Sequence, residues 1–199
     1  MNNKTGSIAG IVLAAGGSSR LGAPKQLLLW QGKPLVRIAS EKLATAGVYP
    51  VIVVLGAASK AVKKVLSDLD VTTVENLYWK EGISTSIRAG ISALPDNIEA
   101  AMFTTSDQPF ITPELINKIC ETFYQTRSEI VCPESKGELR NPVVFIKTLF
   151  SELVQLEGDN GGKALFAKHA ITRVEWDNVD DFRDIDTMSD MKKMYGKSC

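Results

Sequence analysis

One stretch near the start of the chain constrains it more than any other. Residues 8–13, Ile-Ala-Gly-Ile-Val-Leu, form a continuous apolar run of the kind that makes a strand buried on both faces of a sheet. The run passes into Ala14-Ala15-Gly16-Gly17-Ser18-Ser19, which carries almost no side-chain bulk, so a ligand can approach the backbone closely. Successive N–H groups in such a turn form a concavity that binds anions. Arg20 and Lys25 then bring two cations to the same place. Arginine grips phosphate oxygens as a fork, whereas lysine acts as a mobile point charge. A polyphosphate is the natural guest. Neither common phosphate loop is present: the Gly-Lys-Ser/Thr of the P-loop is missing, and the glycines do not fit Gly-x-Gly-x-x-Gly. A small, tight βα turn would account for the glycines alone, but not for Arg20, Gly22 and Lys25 in close order.

The 199 residues suffice for one sizeable domain, and a hydrophobic content of 44% supports a full core. Lys+Arg and Asp+Glu both total 23, which argues against a nucleic-acid or membrane-surface partner while allowing a local phosphate site. No apolar run approaches the length of a membrane span, and residues 1–7 lack the apolar region of a signal peptide. The expectation is a soluble, cytoplasmic protein of one domain over 1–199, disordered at about residues 1–6. Cys120, Cys132 and Cys199 lack metal-ligand spacing; the first two read as reduced core residues and the third as a loose terminal thiol. The sole histidine, His169, reads as surface or helix-end packing, which leaves a Ser-His-Asp hydrolase little support.

Strand and helix patterns alternate along the chain. Strands are predicted at residues 8–13, 51–55, 71–75, 100–104, 130–132, 143–146 and 172–176. Helices are predicted at 34–46, 59–67, 84–92, 113–126, 164–168 and 188–195, the fourth with Thr112 as N-cap and Pro113 in its first turn. Such alternation implies a mostly parallel sheet covered by helices on both faces, with ligands beyond the carboxyl ends of the strands. Asp107, in Ser106-Asp107-Gln108-Pro109, follows a buried strand and lies at such an end. By itself this tetrapeptide could be only a turn. Beside a polyphosphate, its carboxylate points to Mg²⁺, a hard cation held by one or two carboxylates plus phosphate oxygens.

Leu13-Ala-Ala-Gly-Gly-Ser-Ser-Arg-Leu-Gly-Ala-Pro-Lys25 resembles the signature loop of the MobA-like nucleotidyltransferases, and within them the molybdenum cofactor cytidylyltransferase branch. The guanylyltransferase branch more often has a second Gly where Ala15 stands. Ser106-Asp107-Gln108-Pro109 resembles the family's G-D-Q-P, with Ser106 for Gly, and Asp184-Ile185-Asp186-Thr187 resembles its D-I-D-T-P-E-D. Residues 76–86 resemble N-x-x-W-x-x-G-x-x-S-S, with Ser84 able to cap the following helix. Arg140-Asn141-Pro142-Val143 and the Gly158 to Lys163 segment resemble G-x-P-V and G-D-x-G-x-R, with Arg140 replacing Gly and Lys163 replacing Arg.

The resemblance implies a Rossmann-like three-layer α/β/α nucleotidyltransferase fold. It implies a nucleotide held by Leu13, Ala14, Ala15, Gly16, Gly17, Ser18, Ser19, Arg20 and Lys25. Arg20, Lys25 and Asp107 would be catalytic, and Mg²⁺ would sit on Asp107 with Asp184 or Asp186. The acceptor would meet Trp79, Gly82, Ser84, Ser86, Asn141, Asp159 and Lys163. The implied partners are CTP, a molybdopterin-type acceptor and a molybdoenzyme that receives the product. GTP, another phosphomonoester acceptor, or a non-catalytic cofactor chaperone are the rival readings.

Overall fold

In the computed structural model, which describes residues 7–17, 23–185 and 190, the apolar run near the start is strand β1 (Ser7–Ala14). A hairpin of two-residue strands follows, β2 (Leu29–Trp30) and β3 (Lys33–Pro34). Next come α1 (Leu35–Thr45), β4 (Val51–Leu55), α2 (Ser59–Leu66), β5 (Thr72–Glu75), α3 (Ile83–Ser92), β6 (Ile98–Thr105) and α4 (Pro113–Thr126). The last part holds β7 (Ile130–Ser135), β8 (Glu138–Leu139), β9 (Val143–Ile146), α5 (Phe150–Leu153) and β10 (Ile171–Glu175).

The sheet runs in the order β10-β7-β9-β6-β1-β4-β5, with β8 beside β7. β1 pairs in parallel with both β4 and β6, β4 with β5, and β7 with β10. β9 alone among the long strands is reversed, antiparallel to β6 and to β7. Because side chains alternate along a strand, the sheet feeds two cores. Val12, Val53 and Met102 join residues of α1, α2 and α4 on one face, while Ile11, Val54 and Phe103 join those of α3 and α5 on the other. This is the three-layer α/β/α arrangement with a mostly parallel sheet that the alternation implied. A third, smaller core of Trp30, Leu35, Ile38 and Ile185 lies under the hairpin.

Local chemistry agrees with the elements. Thr112 caps α4, its hydroxyl accepting from the Leu115 N–H at 3.2 Å, with Pro113 in the first turn. Helix α1 stops before Gly47, whose φ of +74° no continuing helix adopts. One predicted helix is corrected. Residues 164–168 are not α-helical; a 3₁₀ turn, Gly162–Leu165, gives way to further turns. So short a piece beside Gly161 and Gly162 gains too few bonds to nucleate an α-helix. The predicted disorder at 1–6 and, apart from Asp190, the predicted helix at 188–195 lie outside the described residues. Among the described residues, no helix is long and apolar enough to cross a membrane.

Candidate active site

Three loops meet at the carboxyl edge of the sheet, beyond β1, β4 and β6. After β1 the backbone passes through Ala15, Gly16 and Gly17, and the Ala15 carbonyl accepts from the Ala57 N–H at 3.2 Å, in the loop after β4. The chain returns in a 3₁₀ turn, Lys25–Leu27. From this turn Lys25 reaches the loop after β6, its Nζ donating to Oδ2 of Asp107 at 2.7 Å. The Thr105 hydroxyl bonds the other oxygen of the same carboxylate. The lysine and aspartate side chains are 15% and 25% exposed, so the pair is neither dry nor freely solvated. Two residues predicted from separate motifs, 82 positions apart, are therefore in direct contact.

Asp184 is exposed, whereas Ile185 beside it is buried, and the Ile185 N–H donates to the Asp107 carbonyl at 2.9 Å. The acidic segment is thus tied to the Asp107 loop. Ser18, Ser19, Arg20 and Asp186 lie outside the described residues. The donor set fits a divalent cation. Asp107 and Thr105 offer hard oxygens, and the carboxylate already accepts a cation in the form of the Lys25 ammonium. No cluster of three or more His, Cys, Asp or Glu able to hold a metal occurs among the described residues. A cation that keeps several waters and takes most other ligands from phosphate needs no such cluster.

Beside this edge lies a cavity of about 250 Å³ between α3 and the sheet. Leu13, Ile87, Phe103 and Phe145 form apolar walls, and Asn141, Asp159 and Lys163 supply polar groups. Asn141 arrives on the segment entering β9, and Asp159 and Lys163 on the loop after α5, so the structure brings together three residues predicted from two motifs. The Lys163 Nζ donates to the Leu139 carbonyl at 3.2 Å, across to the β7–β8 hairpin.

Segment 76–86 is organised differently from expectation. Asn76 is buried, and its Nδ2 donates to the hydroxyls of Thr85 at 2.8 Å and Ser86 at 3.0 Å. Its Oδ1 accepts from the Tyr78 N–H at 2.9 Å. Ser86 is therefore an internal acceptor. Ser84 does not cap α3: the N-cap is Gly82, and the buried Ser84 hydroxyl has no hydrogen-bond partner. Neither serine lines the cavity. At the helix start the Ser84 N–H is taken by the Gly158 carbonyl at 3.1 Å. Gly82 has φ +112°, and a Cβ there would stand 2.2 Å from the Gly158 oxygen, so this glycine lets two loops touch. Trp79 lies over the glycine loop, its ring 2.8 Å from where a Cβ on Gly17 would be.

Other predicted features take structural roles. Cys120 and Cys132 are buried, and burial pushes their thiols up to about 12 and about 11, so both are inert. His169 bridges Glu152 (Nε2 to Oε2, 3.0 Å) and Glu129 (Nδ1 to Oε1, 3.4 Å), away from the carboxyl edge. Sequence reasoning missed Gln26, which is buried and donates to two carbonyls of the glycine loop. Its place beside Lys25 was the available signal.

The candidate site is therefore the Lys25–Asp107 contact together with the cavity beside it. Residues 10–174 match the MobA-like NTP transferase domain; the chain belongs to that family and is a nucleotidyltransferase. Among curated relatives it is 28% identical over 198 residues to the probable molybdenum cofactor guanylyltransferase of Thermococcus sibiricus, covering 94% of this chain and 97% of the relative. It is 25% identical over 182 residues to the molybdenum cofactor cytidylyltransferase of Escherichia coli (90% and 91% covered). It is also 25% identical over 198 residues to the nicotine blue oxidoreductase of Paenarthrobacter nicotinovorans (94% and 96%). Among solved structures, Rv0371c of Mycobacterium tuberculosis H37Rv superposes with a TM-score of 0.83 at 29% identity, covering 96% of this chain and 98% of that one. A manganese complex of the same protein gives 0.76 at 25% identity, covering 97% and 100%.

Proposed function

We propose that this single-domain nucleotidyltransferase transfers CMP from CTP to Mo-molybdopterin, releasing pyrophosphate and forming molybdopterin cytosine dinucleotide in the cytoplasm. The observation that carries the reading is the contact between Lys25 and Asp107, which joins the glycine loop to the acidic loop at one point. The E. coli cytidylyltransferase relative supports the pathway, and Ala15, in place of the second Gly common in the guanylyl branch, favours CTP.

In this reading the triphosphate lies over loop 13–19, with Arg20 and Lys25 on its phosphate oxygens. Asp107, with Asp184 or Asp186, would hold Mg²⁺, which supplies Lewis-acid charge neutralisation at the phosphates. The acceptor lies in the cavity between α3 and the sheet, against Asn141, Asp159 and Lys163. Its phosphate monoester oxygen attacks the α-phosphorus in line, one P–O bond forms as the α–β bridge breaks, and pyrophosphate leaves. Catalysis comes from positioning and preorganised charge, without a covalent enzyme intermediate. The finished cofactor would pass to a molybdoenzyme.

A second reading, with GTP as donor, is favoured by the guanylyltransferase name of the Thermococcus relative. The oxidoreductase relative does not move the proposal towards redox chemistry, because this sequence lacks the Gly-x-Gly-x-x-Gly of a dinucleotide site. The test is pyrophosphate release with Mg²⁺ and each of CTP, GTP, ATP and UTP, with and without Mo-molybdopterin. Release with CTP only when the pterin is present is the expected result. Release with GTP selects the second reading. Activity with another phosphomonoester refutes the acceptor, and nucleotide binding without any release refutes catalysis in favour of a carrier.

A further inference from the structure

The turn that sends Lys25 to Asp107 sends the next side chain the other way. Gln26 is 2% exposed, and its Nε2 donates to the Ala14 carbonyl at 2.8 Å and the Gly16 carbonyl at 2.6 Å. One amide nitrogen thus uses both its hydrogens on the loop after β1. Its Oε1 is buried and has no hydrogen-bond partner. A side chain selected only to fill this space would be apolar, since a buried amide with an unpaired oxygen is costly. The structure keeps the amide for what its nitrogen holds.

What it holds is the direction of two peptide planes. In a trans peptide the C=O and the following N–H point opposite ways. Turning the Ala14 and Gly16 carbonyls onto Gln26 therefore turns the Ala15 and Gly17 N–H groups away from it. The intervening Ala15 carbonyl is held separately by the Ala57 N–H. Three consecutive peptides are thus fixed in alternating orientation, in a segment whose glycines would otherwise allow many. We propose that Gln26 is a positioning residue for polyphosphate binding, its amide presetting the Ala15 and Gly17 N–H groups as anion donors. The inference rests on the glycine loop being the phosphate site of the proposed function.

The test compares the wild-type chain with Gln26→Leu and Gln26→Glu by calorimetric titration with inorganic pyrophosphate, CTP and cytidine, alongside thermal unfolding. Gln26→Leu removes both donors at similar volume. Gln26→Glu keeps the shape but faces two carbonyls with an acceptor. Each is expected to weaken pyrophosphate and CTP by about tenfold or more, the worth of one charge-assisted hydrogen bond, while leaving cytidine, which has no phosphate, unchanged. A folded variant that binds pyrophosphate as tightly as wild type overturns the proposal. So does parallel loss of cytidine binding, which would mark a general structural role. If the leucine variant does not fold, Gln26→Met carries the same comparison. A wild-type chain that binds neither pyrophosphate nor any nucleoside triphosphate refutes the proposed function itself, a distinct result.

Discussion

Replacing Lys25 with methionine separates the fold from the chemistry. The substitution keeps the stem and removes the ammonium that stands 2.7 Å from Asp107. At that distance the direct attraction is about 1.5 kcal/mol in a water-like dielectric and about 6 kcal/mol at an effective value of about 20. The partners are 15% and 25% exposed, which places the pair between a surface bridge and a buried one, and the lysine's own desolvation offsets part of the attraction. The net loss of stability should be about 1–3 kcal/mol, which a domain of ordinary stability survives. The loss in rate should be larger. A preorganised cation at the site of developing charge contributes about 10²–10³-fold to turnover. Pyrophosphate release under saturating nucleotide, read beside a melting curve, checks both quantities. A folded Lys25→Met protein with wild-type turnover would refute the role assigned to this residue and the reasoning from its contact with Asp107.

Further expectations follow from the packing. Gly82→Ala places a methyl 2.2 Å from the Gly158 oxygen at a φ of +112°; it should cost at least about 2 kcal/mol, visible as a lowered melting temperature, and an unchanged one would contradict the geometry. Cys120 and Cys132, with thiols raised to about 12 and about 11, should resist alkylation at pH 8 in the folded protein and react after unfolding; peptide mass mapping distinguishes the two states. His169 is raised above the ordinary imidazole value, chiefly by its hydrogen bond to Glu152, with Glu129 adding to this against desolvation. Folding then favours the charged form, so this stabilisation is complete below a pH of about 6.5 and is lost as pH rises through the raised value. Wild-type melting temperature should decline across that window more steeply than that of His169→Gln; parallel curves would exclude the coupling.

The sheet was legible where burial alone decides structure. The runs in β1, β4 and β6 are apolar on both faces, and Thr112-Pro113 announces the start of α4. The two-residue strands β2, β3 and β8 have no period to detect, and they form because neighbouring elements hold them. The reversal of β9 had a signal in the few residues between β7 and β9, too few for a crossover helix. Lys25, Asp107, Asn141, Asp159 and Lys163, singled out by motif chemistry, are brought to one edge by the fold. Ser84 and Ser86 could not be assigned that way. Whether Ser86 faces a ligand or an internal amide depends on Asn76, ten positions before it, folding back upon α3.

The reversed β9 gives this edge two kinds of traffic. Chain leaving β1 and β6 carries the glycine loop and Asp107, while chain arriving at β9 delivers Asn141. Departing strands and arriving strands therefore furnish different side chains to this edge. The hairpin at 136–142 can be lengthened, shortened or rewritten without moving a residue of the Lys25–Asp107 pair. If the proposed function holds, the acceptor contacts of such a scaffold could be rewritten in the segments that carry Asn141, Asp159 and Lys163 while the Lys25–Asp107 pair is kept.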